Sequence, residues 1–157
     1  MRIASCKLEG QSGHEAGRAL LGSLYRAETG EDLPPILVTE RGKPYFEHSP
    51  WHFSITHTRR HAFCVLAKVP VGIDAEELDR PVRLALADKV LSPGERAQFD
   101  AAKDKDRAFL TFWVLKEAAA KRSGEGLRGY PNHTDFSLED PRVREMDGCL
   151  VAVLTDV

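Results

Sequence analysis

The stretch at residues 109–127 places a carboxylate and two ammonium groups among residues that are mostly apolar. Glu117 and Lys121 are four residues apart, so a helix would bring both side chains to the same face. Lys116 directly precedes Glu117, and lysine and glutamate are seldom fully buried unless they are paired. Composition alone favours an ordinary ion pair on a solvated strip of the helix. The alternative is a site in which the carboxylate binds a metal ion and the lysines bind anionic oxygens.

A second group of acids lies in the sequence VGIDAEE at residues 71–77. Side chains alternate between the two faces of a strand, so Asp74 and Glu76 would point the same way. Like charges on one face disfavour a strand, and one interpretation therefore ends the strand at Ile73 and places the acids in a solvated loop. The other interpretation is a site for a hard cation such as Mg2+, which prefers oxygen ligands.

Residues that can bind phosphate occur upstream of these acids. The run HFSITHT at residues 52–58 alternates as a strand does, and it contains the hydroxyl of Thr56 and the imidazole of His57. Both groups can hydrogen-bond to phosphate oxygens, although an isolated histidine at a strand end is more often structural. Lys43 stands between Gly42 and Pro44, a pattern that by itself predicts an exposed turn.

Together these segments resemble the motifs of the 4′-phosphopantetheinyl transferases. The sequence WVLKEAAAKRSGEGL at residues 113–127 resembles the family signature W-x-x-K-E-A-x-x-K-x-x-G-x-G-L. GIDAE resembles G-x-D-x-E, GKP matches G-K-P, and FSITH resembles F-N-I-S-H with serine in place of asparagine and threonine in place of serine. The order of the motifs resembles the Sfp-like branch, of which this chain would be a compact member.

The resemblance implies an enzyme that moves the 4′-phosphopantetheine arm of coenzyme A to a serine of an apo acyl or peptidyl carrier protein, releasing adenosine 3′,5′-bisphosphate. It also implies Mg2+ as the cofactor. The implied metal ligands are Asp74, Glu76 and Glu117. The implied catalytic residues are Glu117, Lys121 and Asp74, with Glu117 as a candidate general base. The implied residues for binding coenzyme A are Lys43, Thr56, His57, Lys116 and Lys121.

Two other functions stay open on the sequence alone. One is an inactive relative that binds carrier proteins or coenzyme A. The loss of an acidic ligand or of Lys121 would mark such a relative, and all of these residues are present. The other is a different Mg2+-dependent phosphoryl-transfer enzyme or a nuclease, for which a stronger basic stripe is expected.

The composition is that of an ordinary globular protein, with 42% hydrophobic and 29% charged residues. The net charge of −2 gives no general attraction to nucleic acid or to membranes. Three scattered cysteines indicate reduced thiols, and an N-terminus without a long apolar run does not resemble a signal peptide. We therefore expect a cytoplasmic protein with neither nucleic acid nor a membrane as its partner.

At 157 residues the chain predicts a single compact unit, and its pattern predicts the α+β class. We expect two pseudo-symmetric halves, residues 1–69 and 70–157, each a small antiparallel sheet packed with a long helix. A complete site within one chain predicts a monomer. The predicted helices lie at 14–29, 82–90 and 93–102, followed by a long central helix capped by Asp106. The predicted strands lie at 1–8, 36–39, 52–58, 62–69, 134–138, 143–146 and 150–155, with a further strand beginning at 71.

Overall fold

Two three-stranded antiparallel sheets, each covered by a long helix, form most of the described protein. A computed structural model describes residues 1–126 and 134–155. The strands are β1 (Arg2–Lys7), β2 (Ile36–Val38), β3 (Pro44–Phe46), β4 (His52–His57), β5 (His61–Ala67), β6 (Val71–Glu77), β7 (Val143–Met146) and β8 (Cys149–Thr155). The helices are α1 (Gly13–Thr29), α2 (Ala87–Val90), α3 (Pro93–Ala101) and α4 (Lys105–Ser123), and Leu84–Leu86 forms a 3-10 turn before α2.

The two sheets share one strand order. The first sheet has the order β1-β5-β4 and the second has the order β6-β8-β7. In each sheet the strand that comes last in sequence lies between the other two, and every pair is antiparallel. The predicted α+β class with small antiparallel sheets is confirmed. The division into halves at residues 69 and 70 stays a prediction, and the shared strand order supports it.

Alternation of side chains along the middle strands β5 and β8 explains how the layers stack. Phe63 and Val65 of β5 pack against Ile73 of β6 and Val151 of β8, so these faces meet between the sheets. The alternate residues of β5 pack against α1, and the alternate residues of β8 pack against α4. The layers therefore run α1, first sheet, second sheet, α4. Each large apolar side chain buried in this way contributes about 1.5–3 kcal/mol.

The helix ends show where local sequence controls the fold. α3 begins as predicted, because the Ser92 hydroxyl accepts from the backbone N–H of Glu95 while the Glu95 carboxylate accepts from the backbone N–H of Ser92. The cap of α4 differs from the prediction. Asp104 rather than Asp106 caps this helix, and its carboxylate accepts from the backbone N–H of Arg107 at 3.0 Å. Asp106 lies in the first turn, where its negative charge is favourable.

The segment 134–138 is not a strand, in contrast to the prediction. The backbone N–H groups of Phe136 and Leu138 donate to the side chains of Glu95 and Gln98 on α3, at 2.9 and 3.0 Å. A backbone donor that binds a side chain is not available to a neighbouring strand. Docking against α3 thus replaces strand pairing in this segment.

Two further differences concern short elements. The predicted helix at 82–90 is only the 3-10 turn followed by the single turn of α2. β3 was not predicted, and it forms a hairpin with β2 in which Ile36 pairs with Phe46. The turn of this hairpin carries Gly42, whose φ of 91° favours glycine, and Lys43.

Leu127 and the predicted loop around Gly129 and Pro131 lie outside the described residues.

In the part of the chain that the structure describes, none of the helices combines the length and the apolar character needed to cross a membrane.

Candidate active site

β6 lies directly against α4, and this contact positions the predicted acids. The strand continues to Glu77, so the interpretation that the acids begin a solvated loop after Ile73 is wrong. Gly72 makes the close contact possible, because a Cβ atom there would lie 1.9 Å from the carbonyl oxygen of Ala118 on α4. Asp74, two residues further along the same face, therefore reaches α4.

The Asp74 carboxylate lies at the centre of the predicted site and is only 6% exposed. Its Oδ1 atom accepts hydrogen bonds from the Thr56 hydroxyl on β4 and from Nζ of Lys121 on α4, each at 3.1 Å. Its Oδ2 atom is buried and has no hydrogen-bond partner within the described residues. A buried carboxylate oxygen without a partner is costly. This oxygen is therefore a candidate ligand atom for a cation.

Burial and like charge act together on the acids of this site. Burial raises the pKa of Asp74 to about 6, with a further increase from Glu76 and opposing effects from Lys121 and Thr56. Burial also raises the pKa of Glu117 to about 7, with further increases from Asp74 and Glu76 and an opposing effect from Lys121. A cation between these carboxylates would relieve both the burial cost and the repulsion. The donor set of oxygens suits Mg2+.

Glu76 is the least engaged of the three predicted metal ligands. Its carboxylate forms an ion pair with Arg80, with an N–O distance of 2.5 Å. Among the described residues, Asp74, Glu76 and Glu117 do not bring one oxygen each within 4.8 Å of one another. All three metal ligands stay predictions, and the charge coupling between Asp74 and Glu117 favours these two over Glu76, which is paired with Arg80.

A cavity of about 430 Å3 opens beside the carboxylates. Lys43 of the β2–β3 turn lines it, together with Glu117 and Lys121 of α4. Lys43 Nζ donates to the carbonyl oxygen of Arg122 near the end of α4, so the hairpin of the first half is attached to the helix of the second. The cavity also contains apolar surface from Phe53. Such a cavity can hold an anionic ligand that has an apolar part.

Thr56 and His57 have different environments although they are adjacent. Thr56 is buried, and its hydroxyl donates to Asp74. His57 is exposed and faces a second cavity of about 420 Å3, which Glu76 and Arg80 also line. The His57 imidazole lies over the start of α1, where a Cβ atom at Gly13 would be 2.2 Å from its Cγ. Glu117 thus lines the cavity of Lys43, while Glu76 lines the cavity of His57.

Lys116 is not part of this site, and its assignment to coenzyme A binding is corrected. Its side chain is 2% exposed, and Nζ lies 2.8 Å from the Glu95 carboxylate of α3. Nζ also donates to the carbonyl oxygen of Thr134 at 3.2 Å and lies over the ring of Phe136. Lys116 therefore joins α4 to α3 and to the segment that follows α4.

Sequence reasoning missed several polar residues around these cavities. Arg41 lines the cavity of Lys43, while Arg59 and Arg80 line the cavity of His57. The available signal was proximity, since each of these arginines stands within four residues of a predicted site residue.

Comparison with known proteins agrees with the resemblance of the sequence motifs. A family model described as the 4′-phosphopantetheinyl transferase superfamily matches residues 70–148, about half of the chain. This range contains Asp74, Glu117 and Lys121. The chain is 33% identical over 96 residues to the 4′-phosphopantetheinyl transferase psf-1 of Bacillus pumilus, covering 59% of this chain and 41% of that protein.

Two further relatives extend the comparison. The chain is 35% identical over 114 residues to the 4′-phosphopantetheinyl transferase AcpT of Escherichia coli K12, covering 69% of this chain and 56% of that protein. It is 30% identical over 122 residues to the 4′-phosphopantetheinyl transferase HetI of a Nostoc species, covering 71% and 52%. The matched region spans about half the length of these curated relatives. With β6 and α4 inside the matched range, the chain belongs to the 4′-phosphopantetheinyl transferase superfamily.

Proposed function

We propose that this protein transfers the 4′-phosphopantetheine arm of coenzyme A to a serine hydroxyl of an apo acyl or peptidyl carrier protein, with Mg2+ as cofactor. The observation that carries the proposal is the buried Asp74 carboxylate, whose Oδ2 has no partner in the described residues. Its Oδ1 accepts from Lys121, and its charge raises the pKa of Glu117. A polyanionic substrate and a divalent cation would together satisfy this arrangement of charges.

The residues that would hold Mg2+ are Asp74 and Glu117, with Glu76 as a third ligand if it leaves Arg80. When bound, the cation would neutralise the pyrophosphate of coenzyme A and stabilise charge that develops at the transferred phosphorus. It would also lower the pKa of both carboxyl groups, so that both would be ionised at neutral pH.

The lysines of the first cavity would bind the substrate. Lys121 has a partly exposed side chain whose amino group can donate to a phosphate oxygen as well as to Asp74. Lys43 lines the same cavity and would hold the nucleotide end of coenzyme A. Positive groups fixed in this way stabilise the departing phosphate in the transition state. His57 would contribute a phosphate contact from the second cavity.

In the proposed step, the serine oxygen forms a bond to the β-phosphorus while the bond from that phosphorus to the bridging oxygen breaks. The pantetheine arm with its phosphate stays on the serine, and adenosine 3′,5′-bisphosphate leaves. The serine proton passes to a base, and we assign this role to Glu117, which acts directly or through a water molecule. The bridging oxygen takes the negative charge, which Lys121 is placed to balance.

The inactive-relative alternative has less support. A binding module would tolerate the loss of a ligand or of the cavity lysine, yet Asp74, Glu117 and Lys121 are all present and close together.

The test is a mass measurement on a carrier protein. Purified protein, coenzyme A, Mg2+ and members of a panel of apo carrier proteins are incubated, and the carrier mass is recorded. We expect the mass of one phosphopantetheine arm to be added with the wild-type protein and not with Glu117→Gln. If coenzyme A binds but no carrier in the panel gains mass, the binding-module alternative is favoured. If coenzyme A does not bind at all, the transferase interpretation fails, and only a module that binds carrier proteins alone is left.

A further inference from the structure

Three side chains with different metal-binding chemistry meet on the other face of β6 from Asp74. Glu77 extends from β6, His61 from β5 and Cys149 from β8, all into the space between the two sheets. One ligand atom of each lies within 4.8 Å of the other two. The Nδ1 atom of His61 is 3.4 Å from Oε1 of Glu77 and 3.9 Å from Sγ of Cys149. None of the three residues was singled out as a candidate site residue by the sequence motifs.

These separations are close to those around a tetrahedral zinc ion. Bonds of about 2.0–2.1 Å to nitrogen and oxygen and of about 2.3 Å to sulfur place neighbouring ligand atoms roughly 3.3–3.6 Å apart. The His61–Glu77 separation of 3.4 Å already lies in this range, the His61–Cys149 separation of 3.9 Å exceeds it by a few tenths of an ångström, and all three ligand atoms lie within 4.8 Å of one another. We propose that His61, Glu77 and Cys149 bind one zinc-like transition-metal ion, at a site distinct from the carboxylates that face α4.

The ligand types select the kind of metal. Thiolate and imidazole together favour Zn2+ or a similar ion, whereas Mg2+ prefers oxygen ligands alone. A catalytic cysteine is a poorer explanation, because burial raises the pKa of the Cys149 thiol to about 12. In addition, Cys149 and Glu77 approach the same ring nitrogen of His61. In a catalytic cysteine–histidine–carboxylate triad, the histidine would contact the cysteine through one ring nitrogen and the carboxylate through the other.

Neighbouring groups orient the Glu77 carboxylate as a monodentate ligand. Arg60 donates to Oε2 of Glu77 at 2.9 Å, which leaves Oε1 on the side of His61 and Cys149. The Thr58 hydroxyl donates to Oε1 at 2.6 Å, and contacts of this kind hold metal ligands in position. The thiol of Cys149 also contacts the carbonyl oxygen of Asp147 at 3.8 Å, a contact that ionisation would remove.

An ion can reach the site from solvent. Thr58 and Glu77 line the 420 Å3 cavity that also contains His57, so this cavity reaches the Glu77 carboxylate. A water molecule from the cavity would take the fourth position. Because the ligands come from strands of both sheets, the bound ion would connect the two halves. It would stabilise the folded state by binding to it selectively.

The test uses untagged protein freed of metal and then dialysed against Zn2+ in the presence of excess Mg2+. Bound zinc is counted by atomic emission, and folding is checked by circular dichroism. We expect one zinc ion per wild-type chain, and the same from the control variants Cys6→Ser and Asp74→Asn. We expect Cys149→Ala and His61→Asn each to weaken zinc binding by about tenfold or more.

Cobalt gives a readout that does not depend on the folding of any variant. Co2+ in place of Zn2+ should give a thiolate-to-cobalt charge-transfer band in the wild type and in Cys6→Ser. A wild type that binds no zinc, or one whose cobalt complex lacks this band, would overturn the proposal. Unchanged zinc affinity in a folded Cys149→Ala variant would overturn it as well.

Discussion

At the residue scale, Asp74 combines properties that a purely structural acid would not need. Its Oδ1 atom receives hydrogen bonds from Thr56 and Lys121, while its buried Oδ2 has no partner in the described chain. Burial is the main cause that raises the pKa of Asp74 to about 6 and the pKa of Glu117 to about 7. Ionising these acids in the folded protein therefore costs free energy when no cation is bound.

This cost predicts that the stability of the metal-free protein depends on pH. Because both pKa values are higher in the folded than in the unfolded state, the folded state binds more protons between about pH 4 and pH 7. The contribution of these groups to the free energy of unfolding therefore falls as pH rises through that range. We expect Asp74→Asn to remove a part of this fall, on the order of 2 kcal/mol.

The measurement is urea unfolding in the presence of a metal chelator from pH 4.5 to pH 7.5, roughly the range in which these two groups change protonation. The variant should equal or exceed the wild type in stability at the upper end. Added Mg2+ should raise the melting temperature of the wild type and not that of the variant. A difference between the two proteins that stays constant with pH would contradict the assignment.

The charges of the two cavities predict how the protein binds coenzyme A. We expect Lys43→Ala, Lys121→Ala and His57→Ala each to weaken binding roughly three- to tenfold, since each removes a hydrogen bond from a charged or polar donor. The loss should be larger at low salt, because salt screens these contacts. Calorimetric titration at two salt concentrations checks this, with the exposed Lys103→Ala as a control. Unchanged affinity in all three variants would exclude the predicted binding site.

At the element scale, the site depends on how closely α4 packs against its neighbours. Gly72 allows β6 to touch α4 near Ala118, which brings Asp74 to Lys121. On another side of α4, Lys116 pairs with Glu95 of α3. The two neighbouring residues Lys116 and Glu117 thus serve different purposes, one in packing and one at the candidate site.

The Lys116–Glu95 pair predicts a structural effect rather than a binding effect. Lys116→Met leaves the Glu95 carboxylate buried without its cation, and breaking such a pair costs roughly 3–5 kcal/mol. We expect this loss in chemical unfolding, with recovery of part of it in the double variant Lys116→Met, Glu95→Gln. Coenzyme A affinity of the folded fraction should be unchanged. Normal stability combined with weaker coenzyme A binding would restore the original assignment of Lys116.

At the scale of the whole molecule, the candidate site is built by the two halves together. Lys43 and Thr56 come from the first half, while Asp74, Glu117 and Lys121 come from the second. One chain therefore supplies every predicted residue that lines the first cavity or contacts Asp74.

This arrangement predicts a monomer. A site completed within one chain has no need of a neighbour, although the β2–β3 hairpin exposes Leu37, Val38 and Tyr45, which could favour association. We expect light scattering to give the mass of one chain at the concentrations used for binding. A trimer that loses coenzyme A binding when it dissociates would show that the site is shared between chains.

The sequence alone determined the elements whose signals are local. Alternation predicted the strands at 52–58 and 62–69, which pair as β4 and β5. The helix predicted at 93–102 is α3, which begins after the capping box of Ser92 and Glu95. The strands predicted at 143–146 and 150–155 form the β7–β8 hairpin, and its turn residues Asp147 and Gly148 both have positive φ. The motifs likewise identified Asp74, Glu117 and Lys121, because a fixed spacing on one strand and one helix can be recognised without the fold.

Only the tertiary structure decided which partners these side chains have. The contacts of Thr56 with Asp74, and of Lys116 with Glu95, join residues that are 18 and 21 positions apart. Such contacts depend on how sheets and helices pack, which no periodicity within one element encodes. The same reason explains why 134–138 docks on α3 instead of forming a strand, since its apolar pattern is compatible with either outcome. Local chemistry thus fixed the candidate residues, while long-range packing determined which of them share a site.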